Sequence, residues 1–193
     1  MRFLLASSRL IDRLNERVGH VVYWMVLAAV LVSSGNAVVR YIFDYSSNGW
    51  LELQWYLFTS FFLIGAGYTL LRNEHVRIDI IYSRLSPRSR AWIDLMGGIF
   101  FLLPMALLIM ALAWPVFTAS FALHETSPSA NGLLRWPVKL MIPVGFFLLA
   151  LQGISETIKR VAFLMNLIPD PTPHHTHGED ETAPHDLAEG SGQ

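Results

Sequence analysis

Chemistry in this chain would have to come from polar side chains set into long apolar runs. Six ionisable residues qualify: His20, Arg40, Glu52, Asp94, Lys139 and Glu156. A charge carried into a bilayer is costly, so such residues mark ion or proton paths, substrate sites or helix contacts. Each of the six lies within a turn or two of the end of its apolar run, where a long side chain can reach the headgroups. No relay through a membrane centre is built from them. Ser33, Ser34, Asn36, Gln54, Thr59, Ser60 and Gln152 lie in the same runs and are neutral; groups of this kind hydrogen-bond from one helix to another. They read as structural contacts.

Other chemistries fit less well. A membrane haem needs facing axial ligands inside the bundle, and His20 is the only histidine in an apolar run. His174, His175 and His177 cluster, but in a Pro- and acid-rich tail that offers no closed ligand set. With no cysteine in the chain, a disulfide framework, a thiol nucleophile, a Cys-ligated zinc or iron–sulfur site and thiol oxidase chemistry are all excluded. No G-x-S-x-G, P-loop or H-E-x-x-H pattern occurs. The residues therefore predict a protein that is not an enzyme, with no cofactor and no metal site.

The elements that carry these residues are membrane helices. The 193 residues are 53% hydrophobic and 15% charged, against about 25% charged in an ordinary soluble domain. The apolar residues gather into four blocks, about 18–39, 51–71, 92–114 and 138–158. At ~1.5 Å per residue, a helix over each block spans the ~30 Å hydrocarbon core. Val21–Val32 and Ile99–Trp114 contain no charged residue, whereas a soluble amphipathic helix needs a polar stripe. The fold expected is all-α and integral to the membrane: residues 18–168 form four transmembrane helices, flanked by interfacial amphipathic segments. The first block is too long for the apolar core of a cleaved leader and reads as a retained anchor.

Orientation follows from the basic residues. Eleven lie before the first block, between the second and third, or after the fourth; only Arg40, Arg135 and Lys139 lie on the other side. Both termini are expected in the cytoplasm. Residues 1–17 place Phe3, Leu4, Leu10, Ile11 and Leu14 at helical spacing against Arg9, Asp12, Arg13, Glu16 and Arg17, as an interfacial helix or a short extension of helix 1. Ser86 and Pro87 are a cap and a first-turn proline for helix 3. Pro115 and Pro128 bracket an external segment in which Phe117, Phe121 and His124 share a helical face. Residues 169–193 are acidic, His-containing and proline-punctuated, and predict a disordered cytoplasmic tail. Without a basic run interleaved with aromatics, no nucleic-acid partner is expected. Arg40 and Glu52 end consecutive antiparallel helices and either pair with each other or face separate partners.

Several stretches taken together resemble the small membrane subunit of tripartite ATP-independent periplasmic (TRAP) transporters, the DctQ type. They are N-A-V-V-R-Y-I-F (36–43), W-L-E-L-Q-W-Y-L-F (50–58), G-A-G-Y-T-L (65–70), H-V-R-I-D-I (75–80) and N-G-L-L-R-W-P-V-K (131–139), leading into P-V-G-F-F-L-L-A-L-Q-G (143–153). Where many members carry two adjacent acidic residues, this chain has Glu52 followed by Leu53. The resemblance implies a multi-pass protein of the bacterial inner membrane that takes part in secondary active uptake of organic acids. Its implied partners are a large permease subunit holding the ion and solute sites, a periplasmic solute-binding protein, and membrane lipids. The small subunit would brace the large one and help dock the binding protein. On this resemblance Asn36, Arg40, Glu52, Gln54, His75, Arg77, Asp79, Arg135, Trp136 and Lys139 are the candidate interface or structural residues. The competing expectation is a self-contained four-helix carrier or channel.

Overall fold

A computed structural model describes residues 2–44, 47–73, 85–129 and 132–169. His75, Arg77, Asp79 and the tail beyond Pro169 lie outside the described residues. Five α-helices account for nearly all of the described chain: α1 (Arg2–Phe43), α2 (Asn48–Arg72), α3 (Pro87–Gly97), α4 (Leu103–Ala122) and α5 (Trp136–Leu164). A π-turn, Gly98–Leu102, joins α3 to α4 in one rod. Among the described residues three helical spans are long and apolar enough to cross a membrane, namely Phe3–Phe43, Pro87–Ala122 and Trp136–Leu164. α2 has 25 residues and so reaches the length, but Glu52, Gln54, Thr59 and Ser60 dilute its apolar character.

Local sequence explains where the helices start and stop. Ser86 caps α3, its Oγ accepting the Ser89 N–H at 3.2 Å, and Pro87 fills a first-turn position where no N–H is needed. α2 ends where Asn73 takes a left-handed conformation, φ 59°, and donates its N–H to Leu70 O. The π-turn falls just before Pro104, whose ring would press on the carbonyl four residues back; widening the helix by one residue relieves that contact. Pro115 does not end the helix. α4 continues through it to Ala122, so Phe117 and Phe121 belong to the rod itself and not to a separate external segment.

α5 is the central helix and touches all the others. Small residues let it do so. A Cβ on Gly145 would lie 2.6 Å from the Leu63 carbonyl oxygen of α2, and one on Gly67 of α2 would lie 3.2 Å from the Leu148 carbonyl oxygen of α5. The buried apolar residues are mostly small (Ala91, Ala106, Ala150, Ala162, with Leu95 and Leu148), and the largest fully buried side chains are Gln152, Asn15, Ser8, Ser120 and Ser155. The outside carries the bulk: Trp24, Tyr41, Phe62, Phe100, Phe101, Leu108 and Leu112 are all exposed. A polar interior inside an apolar shell inverts the arrangement of a soluble protein and suits a lipid solvent.

Of the two forms expected for the first seventeen residues, the structure shows the extension of helix 1, but with the face inverted in the same sense. They form no separate segment, being the first turns of a helix 42 residues long, or ~63 Å. Ser8 and Asn15 are buried against α5, while Phe3 is 81% and Leu10 68% exposed. The polar face is the packed one.

Candidate functional site

Four of the sequence-derived residues, Glu52, Arg135, Trp136 and Lys139, gather at one end of the bundle. The Glu52 carboxylate lies in the second turn of α2 and is 5% exposed. It reaches across to the segment between α4 and α5, accepting hydrogen bonds from the Ser127 hydroxyl and, at 2.7 Å, from the Leu133 N–H. The segment folds back on itself: Ser127 N–H donates to Leu133 O at 2.9 Å, Arg135 N–H donates to Glu125 O at 2.8 Å, and Thr126 bridges Leu134 in antiparallel fashion. Without Glu52 two donors in this fold would lack an acceptor, so the carboxylate is the anchor that ties the segment to α2.

Arg135, Trp136 and Lys139 complete this end. The Lys139 ammonium pairs with the Glu125 carboxylate. That ammonium, with the Arg135 charge adding to it, holds the Glu125 carboxyl below the usual carboxylate range. Trp136 meets Phe121 edge to face at 5.3 Å, and Phe121 in turn lies 6.0 Å from Phe117 and 6.4 Å from His124. The aromatic face anticipated at 117, 121 and 124 is therefore present, closed by Trp136. His124 takes a positive φ of 47° at the turn that leaves α4.

Arg40 is not in this cluster. It is exposed on the last turn of α1, and Glu52 bonds to the 125–135 segment in its place, so the two form no pair. Asn36 and Gln54 lie elsewhere, each in a separate groove beside the α1/α2 seam. One, ≈ 390 Å³, is lined by Val32, Gly35, Asn36 and Trp50; the other, ≈ 360 Å³, by Ala29, Ser33, Gln54 and Phe58.

A second cluster, at the opposite end, was nominated from sequence only in part, through Gln152, Glu156 and Asp94, and Gln152 does bond across helices as expected. Asn15 Nδ2 donates to Gln152 Oε1 at 2.9 Å, and Gln152 Nε2 donates to Asp12 Oδ1 at 3.0 Å and to Glu156 Oε1 at 3.2 Å. Ser155 Oγ donates to Asp12 Oδ1 at 2.7 Å and lies 2.7 Å from Ser8 Oγ. Lys159 pairs with both Asp12 and Glu156. Around this core Arg160 pairs with Asp94 at 3.2 Å and Arg72 with Glu16 at 2.9 Å. The signal was in the spacing. Ser8, Asp12 and Asn15 repeat at i, i+4, i+7 on α1, and Gln152, Glu156 and Lys159 do so on α5, making two polar stripes fit to face each other.

Both clusters are built to hold helices together. Among the described residues no group of three or more His, Asp or Glu side chains is placed to hold a metal ion. No curated protein and no solved structure matches the chain. A family model does: the one described as Tripartite ATP-independent periplasmic transporters, DctQ component, matches residues 29–163, which span α5 almost to its end and include the whole Glu52 cluster, and the chain therefore belongs to the DctQ family of TRAP transporter components.

Proposed function

We propose that this chain is the non-catalytic small permease subunit of a TRAP-type secondary transporter for organic anions. In this reading α2 is a fourth membrane span, and both termini face the cytoplasm of a bacterial inner-membrane protein. The Asn15–Gln152 cluster then lies toward the cytoplasm, and the Glu52 cluster faces outward. The single observation that carries the reading is the placement of charge. Every ion pair among the described residues falls at one of the two ends of the bundle, with the apolar walls between them. Charges locked in pairs at both ends fix helix depth and tilt, as a stator requires, and a secondary transporter places its ion and substrate groups near the midplane instead. The large permease subunit supplies those groups, and this subunit braces it. The segment tied down by Glu52 supports a docking surface for the soluble binding protein.

The test is reconstitution. Liposomes containing this chain alone should take up no organic anion under a sodium gradient; adding the large permease subunit and the binding protein should give uptake. Solute-specific, gradient-driven uptake by the chain alone would replace the bracing role with that of a self-contained carrier. Because the chain has no cysteine, single cysteines at Glu125 and Pro87 report topology directly. An impermeant thiol reagent added from outside should modify the first and spare the second.

A further inference from the structure

We infer that the first five turns of α1 form a binding surface for anionic phospholipid. A row of three arginines, Arg9, Arg13 and Arg17, takes the phosphates, and the apolar stripe beside it, Phe3, Leu10 and Leu14, takes the acyl chains. The inference rests on the proposed membrane subunit and adds the lipid class that its cytoplasmic end selects.

The distribution of charge points to an anion. Among the described residues the acidic side chains at this end are all taken up within the chain: Glu16 by Arg72, Asp12 and Glu156 by Lys159, and Asp94 by Arg160. Arg9, Arg13 and Arg17 pair with none of them and are exposed. They stand at i, i+4 and i+8, a row roughly 12 Å long on one side of the helix. Like charges in a row raise the local potential and draw negative charge to it.

The neighbouring face selects an anion with hydrocarbon attached. At about 100° per residue, Phe3, Leu10, Leu14 and Val21 fall within about 40° of one another, and all four are exposed. Their stripe borders the arginine row, while Ser8, Asp12 and Asn15 occupy the far side of the helix, against α5. Val21 opens the charge-free run Val21–Val32, so the stripe passes without a break into the apolar wall of the bundle. Inorganic phosphate, a nucleic acid or an acidic peptide would meet the arginines alone; an anionic phospholipid meets both faces.

Depth agrees. α5 holds this part of α1 through Asn15–Gln152, Ser8–Ser155 and Asp12–Lys159, and the apolar block of α5 ends near Ile158. Residues 8–15 therefore lie where α5 leaves the hydrocarbon. From Ser8 to Asn15 is ~10 Å along α1, whereas from Ser155 to Gln152 is ~5 Å along α5. α1 thus slants across α5 and carries its first turns along the leaflet, guanidinium groups toward the headgroups and apolar side chains toward the tails.

Electron paramagnetic resonance of spin-labelled lipids tests this on the full chain in phosphatidylcholine bilayers. A basic side chain near an anionic surface multiplies affinity by about fivefold, so a phosphatidylglycerol probe should be held at least about fivefold more strongly than a phosphatidylcholine probe. High salt should shrink the preference. Changing Arg9→Gln, Arg13→Gln and Arg17→Gln together should abolish it, and lysine at all three positions should keep it. Arg40→Gln, exposed at the other end of α1, should leave it unchanged. A preference that survives the triple glutamine change, or is absent from the wild-type chain, overturns the inference. A nitroxide on a cysteine replacing Leu10 should be relaxed by oxygen and not by an aqueous nickel complex. The reverse would put the stripe in water, and loss of access to both on adding the large permease subunit would give it to protein; either result overturns the acyl contact. The preference is read in a symmetric bilayer, so a reversed topology would bring down the cytoplasmic placement and leave the lipid result to stand by itself.

Discussion

Replacing Glu52 by alanine should release the 125–135 segment from α2. The wild-type carboxylate takes two donors, the Ser127 hydroxyl and the Leu133 N–H, and both are left without an acceptor when it is removed. A buried donor stripped of its partner costs about 1–3 kcal/mol, so the two together cost about 2–6 kcal/mol, less what water regains at the rim. Taking about 2–4 kcal/mol as the net loss, and tenfold per 1.4 kcal/mol, the closed form of the segment falls by roughly 30- to 700-fold. Hydrogen exchange reads this directly, since Leu133 N–H is held by Glu52 and Ser127 N–H by Leu133 O. In the purified chain in nanodiscs, a peptide covering the segment should exchange faster by that factor in Glu52→Ala. Glu52→Gln, which keeps one acceptor oxygen but turns an amino group toward the second donor, should fall between. Peptides from the middle of α5 should be unchanged and serve as the internal reference. If the segment exchanges at the wild-type rate in Glu52→Ala, the anchoring role is wrong and the hydrogen bonds contribute nothing to holding it.

Gly145→Ala should loosen the α2/α5 contact by about 1–3 kcal/mol, because its Cβ would fall 2.6 Å from a backbone oxygen that cannot rotate away; the thermal midpoint in detergent should drop, while Gly35→Ala, with nothing within 4 Å, should not lower it. A double-mutant cycle on Asn15→Ala and Gln152→Ala, followed by unfolding in mixed micelles, should return a coupling of about 0.5–2 kcal/mol, and additivity would show that the 2.9 Å contact carries no energy. Acid should weaken the Glu125–Lys139 tie. The folded carboxyl titrates below its unfolded value, so its contribution is complete above the unfolded range and is lost as pH falls through the lowered folded value. Segment protection should thus hold at pH 6 and decline below about pH 4, with Glu125→Gln flattening that decline.

Sequence displayed the helices well because membrane helices are written as uninterrupted apolar runs, and Val21–Val32 or Ile99–Trp114 allow no other regular structure. It displayed azimuth poorly. The eleven residues between Arg40 and Glu52 set how far apart two helix ends are, not which way their side chains turn, and Glu52 faces the segment after α4. The run through Pro115 was hidden for a related reason: a proline costs a helix one hydrogen bond, and Thr118 Oγ1, donating to Pro115 O at 3.0 Å, helps hold the turn that follows. The α1 half of the Asn15–Gln152 cluster was overlooked because an amphipathic stretch is habitually pictured with its charged face in water. Here Ser8, Asp12 and Asn15 turn toward α5 and the leucines turn away. Arg135, Trp136 and Lys139 are picked out through the N-G-L-L-R-W-P-V-K stretch of the resemblance and not through contacts, since their partners Glu125 and Phe121 lie ten or more residues earlier.

The clasp between the two ends of the chain has a bearing on how the protein is made. Ser8, Asp12 and Asn15 leave the ribosome before the groups that satisfy them, Gln152 and Ser155, which follow 137 to 147 residues later. During that interval the start of α1 has polar groups without their final partners, and at the cytoplasmic face water and headgroups stand in for them. A chain interrupted before Gln152 keeps them bare for good. Such a fragment bears a built-in mark of incompleteness, legible to a membrane protease that recognises unsatisfied polar side chains, and the mark is erased only when the last helix closes over the first.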